Sequence, residues 1–214
     1  MIPFRFPGAL IACFAVCLIM AGCSAAPVQS ASNDTVSTIQ QDSSAGAAQT
    51  PQAQSDNTQP EMILSSSGIN GGVIADKYGM RGSQKDGSTP TLSIPISIEN
   101  APEDAVCFAL RMIDSDSQPL SGFEWVHWTA VDIMTPNLPE NASIDMASEM
   151  VQGMNDFDAI GYGGPTPPDK PHTYIITVYA LDGETGLQNG FAKDAFDPAI
   201  NGHVVVEAQI EGVY

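Results

Sequence analysis

Asp114 and Asp116 stand two residues apart where an apolar run gives way to a polar turn, and on an extended chain their carboxylates point the same way. Further on come Trp125-Val126-His127-Trp128, then Gly161-Tyr162-Gly163-Gly164-Pro165-Thr166-Pro167-Pro168, then His172-Thr173-Tyr174. These residue types suit a pocket for an oxyanion. Histidine and tyrosine donate hydrogen bonds, backbone N–H groups beside glycine add more, and aspartate orients the histidines.

Other chemistries fit less well. Asp114-Ser115-Asp116-Ser117 resembles the opening of a calcium loop, but Gln118 stands at its fifth position, Pro119 replaces its glycine and Trp125 takes the place of the bidentate glutamate. A glycosidase acid pair stays open, because the sequence does not fix the distance between carboxylates. No Gly-Lys-Ser/Thr ending, Gly-x-Ser-x-Gly elbow or Cys-x-x-Cys pair is present, so nucleotide, nucleophilic, redox and structural-zinc readings lack support. No metal and no cofactor is expected.

The elements that must position these groups are strands. Alternating apolar residues recur in Leu92 to Ile98, Val106 to Ile113, Val126 to Ile133, Tyr174 to Leu181 and His203 to Ile210. Turn-rich pieces separate them, and helical pattern is limited to Ile144 to Val151 and Ala192 to Ile200. This spacing predicts a mostly β fold, an antiparallel sandwich with a few small peripheral helices. Pro95 marks the first run as an edge or bulged strand. Period two groups Trp125, His127, Thr129 and Val131 on one face and Val126, Trp128 and Ala130 on the other. A histidine among such bulky neighbours is by itself more often a core residue than a ligand contact, whereas His172 opens its strand after a proline-rich loop, a place that favours function.

The N-terminal residues read as an address and a tether. Arg5 precedes an apolar run from Ala9 to Ala21, short of the ~20 residues that span a bilayer, and Ile19-Met20-Ala21-Gly22-Cys23 resembles the lipobox at which lipoproteins are cleaved and acylated. Residues 1–22 are thus expected to be a signal peptide, with Cys23 carrying lipid. Residues 23–60, rich in Ser, Ala, Gln and Thr, are expected to be a disordered tether reaching about 30 to 35 Å. The domain is then 61–214, facing outside the cytoplasm on a bacterial envelope membrane. Cys13 and Cys17 leave with the signal, so Cys107 is a lone thiol in the domain and no internal disulfide staples it.

Setting aside Arg5, Asp34, Asp42 and Asp56 leaves 22 acidic against six basic side chains, a net charge of about −16 on the domain. Nucleic acid is excluded as a partner by such a surface, and anionic lipid headgroups are unattractive to it, so membrane association is expected through the lipid alone.

The ordered motifs, Asp114-x-Asp116, Trp-Val-His-Trp, Asn155-Asp156-Phe157, Gly161 to Pro165, His172-x-Tyr174 and Gly202-His203, resemble the phosphatidylethanolamine-binding protein family and, more narrowly, its bacterial Raf-kinase-inhibitor-like branch. The likeness spans residues 74–214. It implies a β-sandwich with a small pocket for phosphate-like groups, which in some members takes the headgroup of phosphatidylethanolamine. Carried over, it implies that Asp114 and Asp116 form the acidic motif and that His127 is the central histidine. Gly164 and Pro165 would line the anion, and His172 and Tyr174 complete the polar wall. Asp114 would orient a histidine or accept an amine.

The chain also departs from that family. A common Asp-Pro-Asp-Ala-Pro turn reads Asp114-Ser115-Asp116-Ser117-Gln118-Pro119, which predicts a looser turn at Asp116. Gly79 and Thr166 stand where many bacterial relatives carry cysteines, so the link between them is absent here.

The expected function is a non-catalytic, lipid-anchored binding module whose pocket takes phosphate or a phosphorylated headgroup such as phosphoethanolamine. An inhibitor of an envelope protease or other protein partner is one alternative, and a small-ester hydrolase with His127 as base is another. Histidine donors predict tighter phosphate binding near pH 6 than near pH 8.

Overall fold

The computed structural model describes residues 61–214. The signal segment, Cys23 and the tether lie outside the described residues.

Twelve strands are present among the described residues: β1 (Ile63–Ser65), β2 (Ile69–Asn70), β3 (Val73–Ile74), β4 (Lys85–Asp86), β5 (Thr89–Pro90), β6 (Ile96–Glu99), β7 (Cys107–Asp114), β8 (Trp125–Ile133), β9 (Asn137–Leu138), β10 (Val151–Gln152), β11 (Thr173–Leu181) and β12 (Val204–Val213). Short helices α1 (Gln118–Ser121), α2 (Ala142–Asp145) and α3 (Phe196–Ile200) lie at the periphery. Seven strands form the large sheet in the order β10-β8-β7-β11-β12-β3-β2, three form a small sheet β1-β6-β9, and β4-β5 is a hairpin. The mostly β sandwich expected from the spacing is the fold observed.

Period two explains how the large sheet buries both faces. Phe108, Leu110 and Met112 of β7 join Tyr174, Ile176 and Val178 of β11 in the principal core, packed against Leu64, Ile96, Ile98 and Leu138 of the small sheet. The intervening Cys107, Ala109, Tyr179 and Leu181 face a second core closed by Phe191 and by Phe196 and Ile200 of α3. Fully burying one of these large side chains stabilises the fold by roughly 1.5–3 kcal/mol.

Two details differ from the sequence pattern. Pro95 lies just before β6, so its missing N–H removes no ladder bond, and β6 is the central strand of the small sheet rather than an edge. The expected helix from Ile144 to Val151 is the shorter, earlier α2, whereas Ala192 to Ile200 does contain a 3-10 turn (Lys193–Ala195) followed by α3.

The register of β8 decides where the motif side chains point. Met112 faces Trp128 while Ile113 faces Val126, so His127 is an extra residue in β8, a bulge. A second irregularity near Asp132, at φ 55°, falls between the Leu110–Ala130 and Phe108–Ile133 pairs. The bulge at His127 resets the parity of the strand. Trp125, opposite Asp114, therefore shares a face with Trp128, opposite Met112, and the faces read by strict alternation hold only on either side of His127.

Candidate functional site

Three neighbouring strands converge at one end of the large sheet. Because they are antiparallel, the end of β7 meets the starts of β8 and β11, and the ladder sets Trp125, Asp114 and Tyr174 side by side in one row. Cross-strand neighbours share a face, so the row points toward the end of the principal core. There it opens into a cavity of about 470 Å³. The floor holds Asp114, His127 and His172, all buried; Trp125, Asp156 and Phe157 form walls; Leu120, Asp158 and Pro168 lie at the exposed mouth.

His127 is 2% exposed and fixed by a reciprocal clamp. The Gly163 N–H donates to the His127 carbonyl at 2.8 Å, and the His127 ring Nδ1 lies 2.6 Å from the Gly163 carbonyl oxygen. A carbonyl only accepts, so Nδ1 carries the proton. Burial pulls the His127 pKa down to about 4. In the neutral ring Nε2 is therefore a bare acceptor.

His172 uses both of its nitrogens, Nδ1 with Asp114 at 2.7 Å and Nε2 with Asp169 at 2.9 Å. Burial opposes its charge, but the two carboxylates outweigh that and raise its pKa above the ordinary histidine value. The ring thus joins β11 to the end of β7 and the loop before it, and neither nitrogen is left over for a ligand.

Tyr174, fully buried, places its ring edge-on to His127 with centroids 5.1 Å apart. Its hydroxyl lies close to Asp114 with no hydrogen-bond partner; burial, then the Asp114 charge, pushes its pKa up. The indole N–H of Trp125 is likewise buried without a partner. Trp125 and Phe157 meet edge-to-face at 5.5 Å and 65°, and Phe157 meets His127 similarly at 5.4 Å.

The turn after Asp114 is tied by side chains. Asp114 Oδ1 accepts from the Asp116 N–H at 3.0 Å, the Ser117 hydroxyl donates to the Asp114 carbonyl at 2.7 Å and accepts from the Trp125 N–H at 2.8 Å. Ser117 thus supplies the rigidity that the missing proline removes. Asp116 Oδ2 accepts from the Thr173 N–H at 2.8 Å, which chiefly lowers its pKa, and Lys170 lies 3.6 Å away.

The structure therefore brings Asp114, His127 and His172 together on the cavity floor with Tyr174 beside them. Asp116, Gly164 and Pro165 are placed just outside it. Asp116 anchors the start of β11, while Gly164 donates to the Pro90 carbonyl at 2.8 Å and the Pro165 carbonyl accepts from the Met80 N–H at 2.8 Å. A Cβ on Gly164 would fall 2.1 Å from the Tyr78 carbonyl oxygen, so glycine there permits close packing of the loop. The Asn155-Asp156-Phe157 segment carries no site role in the motif, yet Asp156 and Phe157 line the cavity. Asp156 Oδ2 accepts from the Val126 N–H at 2.7 Å, and its own N–H donates to the Val126 carbonyl at 3.0 Å.

At Gly79, where the family's link is missing, a Cβ would fall 2.4 Å from the Tyr214 ring. Tyr214 fills that space: its hydroxyl accepts from the Arg81 N–H at 2.7 Å and donates to the Asp76 carbonyl at 3.1 Å, and the Arg81 guanidinium stacks 3.8 Å over the ring. Packing and hydrogen bonds hold this segment.

No Lys or Arg lines the cavity. With His127 neutral down to about pH 4, the strengthening of phosphate binding expected between pH 8 and pH 6 gains no support from that ring. The geometry instead suits a ligand that donates hydrogen bonds or carries positive charge. Among the described residues no group of three His, Cys, Asp or Glu is placed to hold a metal ion, and no helix is long and apolar enough to cross a membrane.

A two-sheet sandwich with a buried histidine and aspartate under a glycine-rich loop defines a ligand-binding β protein. The family description "Phosphatidylethanolamine-binding protein" matches residues 64–214, and the chain belongs to that family. It is 40% identical over 154 residues to the uncharacterized protein YxkA of Bacillus subtilis, covering 64% of this chain and 91% of that one. Among solved structures it is similar to a putative phosphatidylethanolamine-binding protein homologue from Chlamydia trachomatis, with TM-score 0.63 and 31% identity over 72% of this chain and 97% of that one. It is also similar to Escherichia coli YbcL, with TM-score 0.62 and 28% identity over 72% and 98% of the two chains.

Proposed function

We propose that this protein is a binding module for phosphorylated headgroups of the phosphoethanolamine kind, held at the bacterial cell envelope by lipid on Cys23 and working by capture rather than turnover. The observation that carries the reading is the buried, clamped His127, whose free Nε2 turns into a preformed cavity that also holds the Asp114 carboxylate. A headgroup with both a phosphate and an ammonium supplies three N–H donors for these acceptors, while free phosphate dianion supplies a single O–H. Lacking a cationic lining, the cavity is expected to bind with modest affinity.

Two-dimensional NMR of the full-length protein, titrated with phosphoethanolamine beside His127→Gln, tests the reading. Saturable shifts at His127, Gly163 and His172 that vanish in the variant are expected; their absence in the native protein would refute headgroup binding. Mass spectrometry of the mature N-terminus tests the anchor, and an unmodified start downstream of Cys23 would remove it.

A second reading, a protein partner docked at the cavity mouth, is favoured by Leu120 and Phe123, which are 57% and 43% exposed there.

A further inference from the structure

His172 stands between two carboxylates. Its Nδ1 lies 2.7 Å from Asp114 Oδ2, and its Nε2 lies 2.9 Å from Asp169 Oδ1. A carboxylate oxygen only accepts, so both ring nitrogens donate and the doubly bonded ring is the imidazolium. A neutral imidazole has one N–H. It keeps one of the two bonds and turns a bare lone pair toward the other carboxylate.

The two partners are unequal. Asp114 is 4% exposed and also accepts from the Asp116 N–H, whereas the Asp169 side chain is 47% exposed. A solvated carboxylate replaces a lost donor with water, and a buried one does not. Removing one proton from His172 therefore spares the Asp114 bond and breaks the bond to Asp169.

Asp169 belongs to the segment 166–171, which contributes Thr166 and Pro168 to the cavity lining. Among the described residues, no backbone–backbone hydrogen bond ties 166–171 to the rest of the domain; such bonds stop at the Pro165 carbonyl and resume at the His172 N–H. Between these points the tie to a buried side chain is the Asp169–His172 bond, and Lys170 lies 3.6 Å from Asp116 across an exposed surface. Pro167, Pro168 and Pro171 have fixed φ and no N–H, so the segment moves as a stiff piece.

The charges around the ring favour its proton. Asp114 at the end of β7, Asp116 in the turn after it and Asp169 in the loop are three carboxylates. Against them stand Lys170 in the loop and Arg81, which lines the groove on the loop's other side with Tyr214. Tyr174 on β11 and His127 on β8, beyond Asp114, are uncharged near neutrality. Burial opposes the His172 charge, and the two bonded carboxylates outweigh it.

We propose that His172 is a pH-operated latch on the cavity rim: its imidazolium holds the Asp169 loop, and loss of one proton frees residues 166–171 while the Asp114 bond stays. Asp169 acts through His172 and is a positioning residue. The sign follows from the direction of the His172 shift, which is upward from 6.5. The loop is held at acid and neutral pH and released as pH rises through the folded His172 value. The latch is a property of the free chain, whichever ligand the cavity takes.

The test is carbon-detected NMR of the full-length protein without ligand from about pH 5.5 to pH 9, above the carboxylate titrations and below that of lysine. Carbon detection reads the three prolines as well as their neighbours. The His172 ring is expected to titrate above 6.5, with residues 166–171 shifting at the same midpoint and losing order on the alkaline side. Gly163, clamped by the neutral His127, is expected to show no step. In Asp169→Asn the His172 midpoint is expected to fall toward the ordinary value, and the loop's step is expected to vanish. An asparagine accepts from the imidazolium and, turned over, donates to the neutral ring. A His172 midpoint at or below 6.5, loop resonances that stay put through the His172 titration, or an Asp169→Asn profile identical to native would each overturn the latch. Headgroup binding is judged separately, because no ligand enters this experiment.

Discussion

The same three strands, β7, β8 and β11, end in opposite ways at the two ends of the large sheet, and each end is shaped by an irregularity in β8. At one end lies Asp132, whose carboxylate accepts from the Thr185 N–H at 2.8 Å and from the Thr185 hydroxyl at 3.2 Å. Cys107, Val131 and Leu181 close the core beside it, and burial pushes the Cys107 thiol up to about 11, inert at neutral pH. At the other end lies His127, and around it the Trp125 indole N–H and the Tyr174 hydroxyl are buried without partners beside an open cavity. One irregularity ties a loop down, and the other aims a side chain into free space. Buried polar groups are normally satisfied; Thr129 Oγ1 in the middle of β8 is a third such atom, but the two beside the cavity mark where a ligand can complete the structure.

Acid separates the two ends most strongly. His127 is neutral in the folded protein down to about pH 4, whereas an unfolded histidine takes up its proton near 6.5. Between these values the unfolded chain binds the extra proton, so stability rises with pH and is lost as pH falls, by about 3 kcal/mol across the whole window. His172 has the opposite sign: its raised pKa stabilises the fold fully below 6.5, and that contribution disappears as pH rises through the folded value. Urea unfolding midpoints between pH 4 and pH 7 are expected to fall less steeply in His127→Gln than in the native protein, the carboxylate titrations being common to both. Identical profiles would mean that the imidazole is solvated, and the contrast between the two ends would be lost.

A mutation at the closed end is expected to act on stability alone. Asp132→Ala leaves the Thr185 donors without their partner and removes a residue type that tolerates positive φ, at a cost of about 1–2 kcal/mol in chemical unfolding. Headgroup affinity should stay within error of native. A change in binding would show that the ends are coupled along β8.

How much of the fold and site was legible in the sequence depends on which contacts are local. The runs Val106 to Ile113 and Tyr174 to Leu181 repeat with period two, and β7 and β11 lie where that period puts them. Asp114 and His172 could be placed at strand ends for the same reason. The bulge at His127 could not, because it exists only in the pairing of β8 against β7 and leaves no trace in the β8 pattern. Phe157 and Asp156 reach the cavity through the backbone pair with Val126, a long-range contact that no spacing predicts. Gly164 and Pro165 carry the motif, yet their bonds run to Pro90 and Met80, and the loop reaches the site through Gly163, Thr166 and Pro168 instead.

The smallest expected effect on stability is the sharpest probe of the open end. Tyr174→Phe deletes a hydroxyl that is fully buried, close to Asp114, and without a hydrogen-bond partner. Removing one partner of a made bond leaves the other group stranded, whereas removing a polar group that has no partner relieves a desolvation cost already present. The variant is therefore expected to be as stable as the native protein or more stable by up to about 1 kcal/mol, the relief being partly offset by the atom-sized space left behind. Headgroup binding is expected to weaken several-fold, because the hydroxyl is a neutral donor beside the floor, free to serve a phosphate oxygen. A gain in stability joined to a loss of binding is what a group held ready for a ligand produces. Destabilisation by more than about 1 kcal/mol would instead reveal that the Tyr174 hydroxyl is satisfied in the free protein, and the two ends of the sheet would then be closed alike.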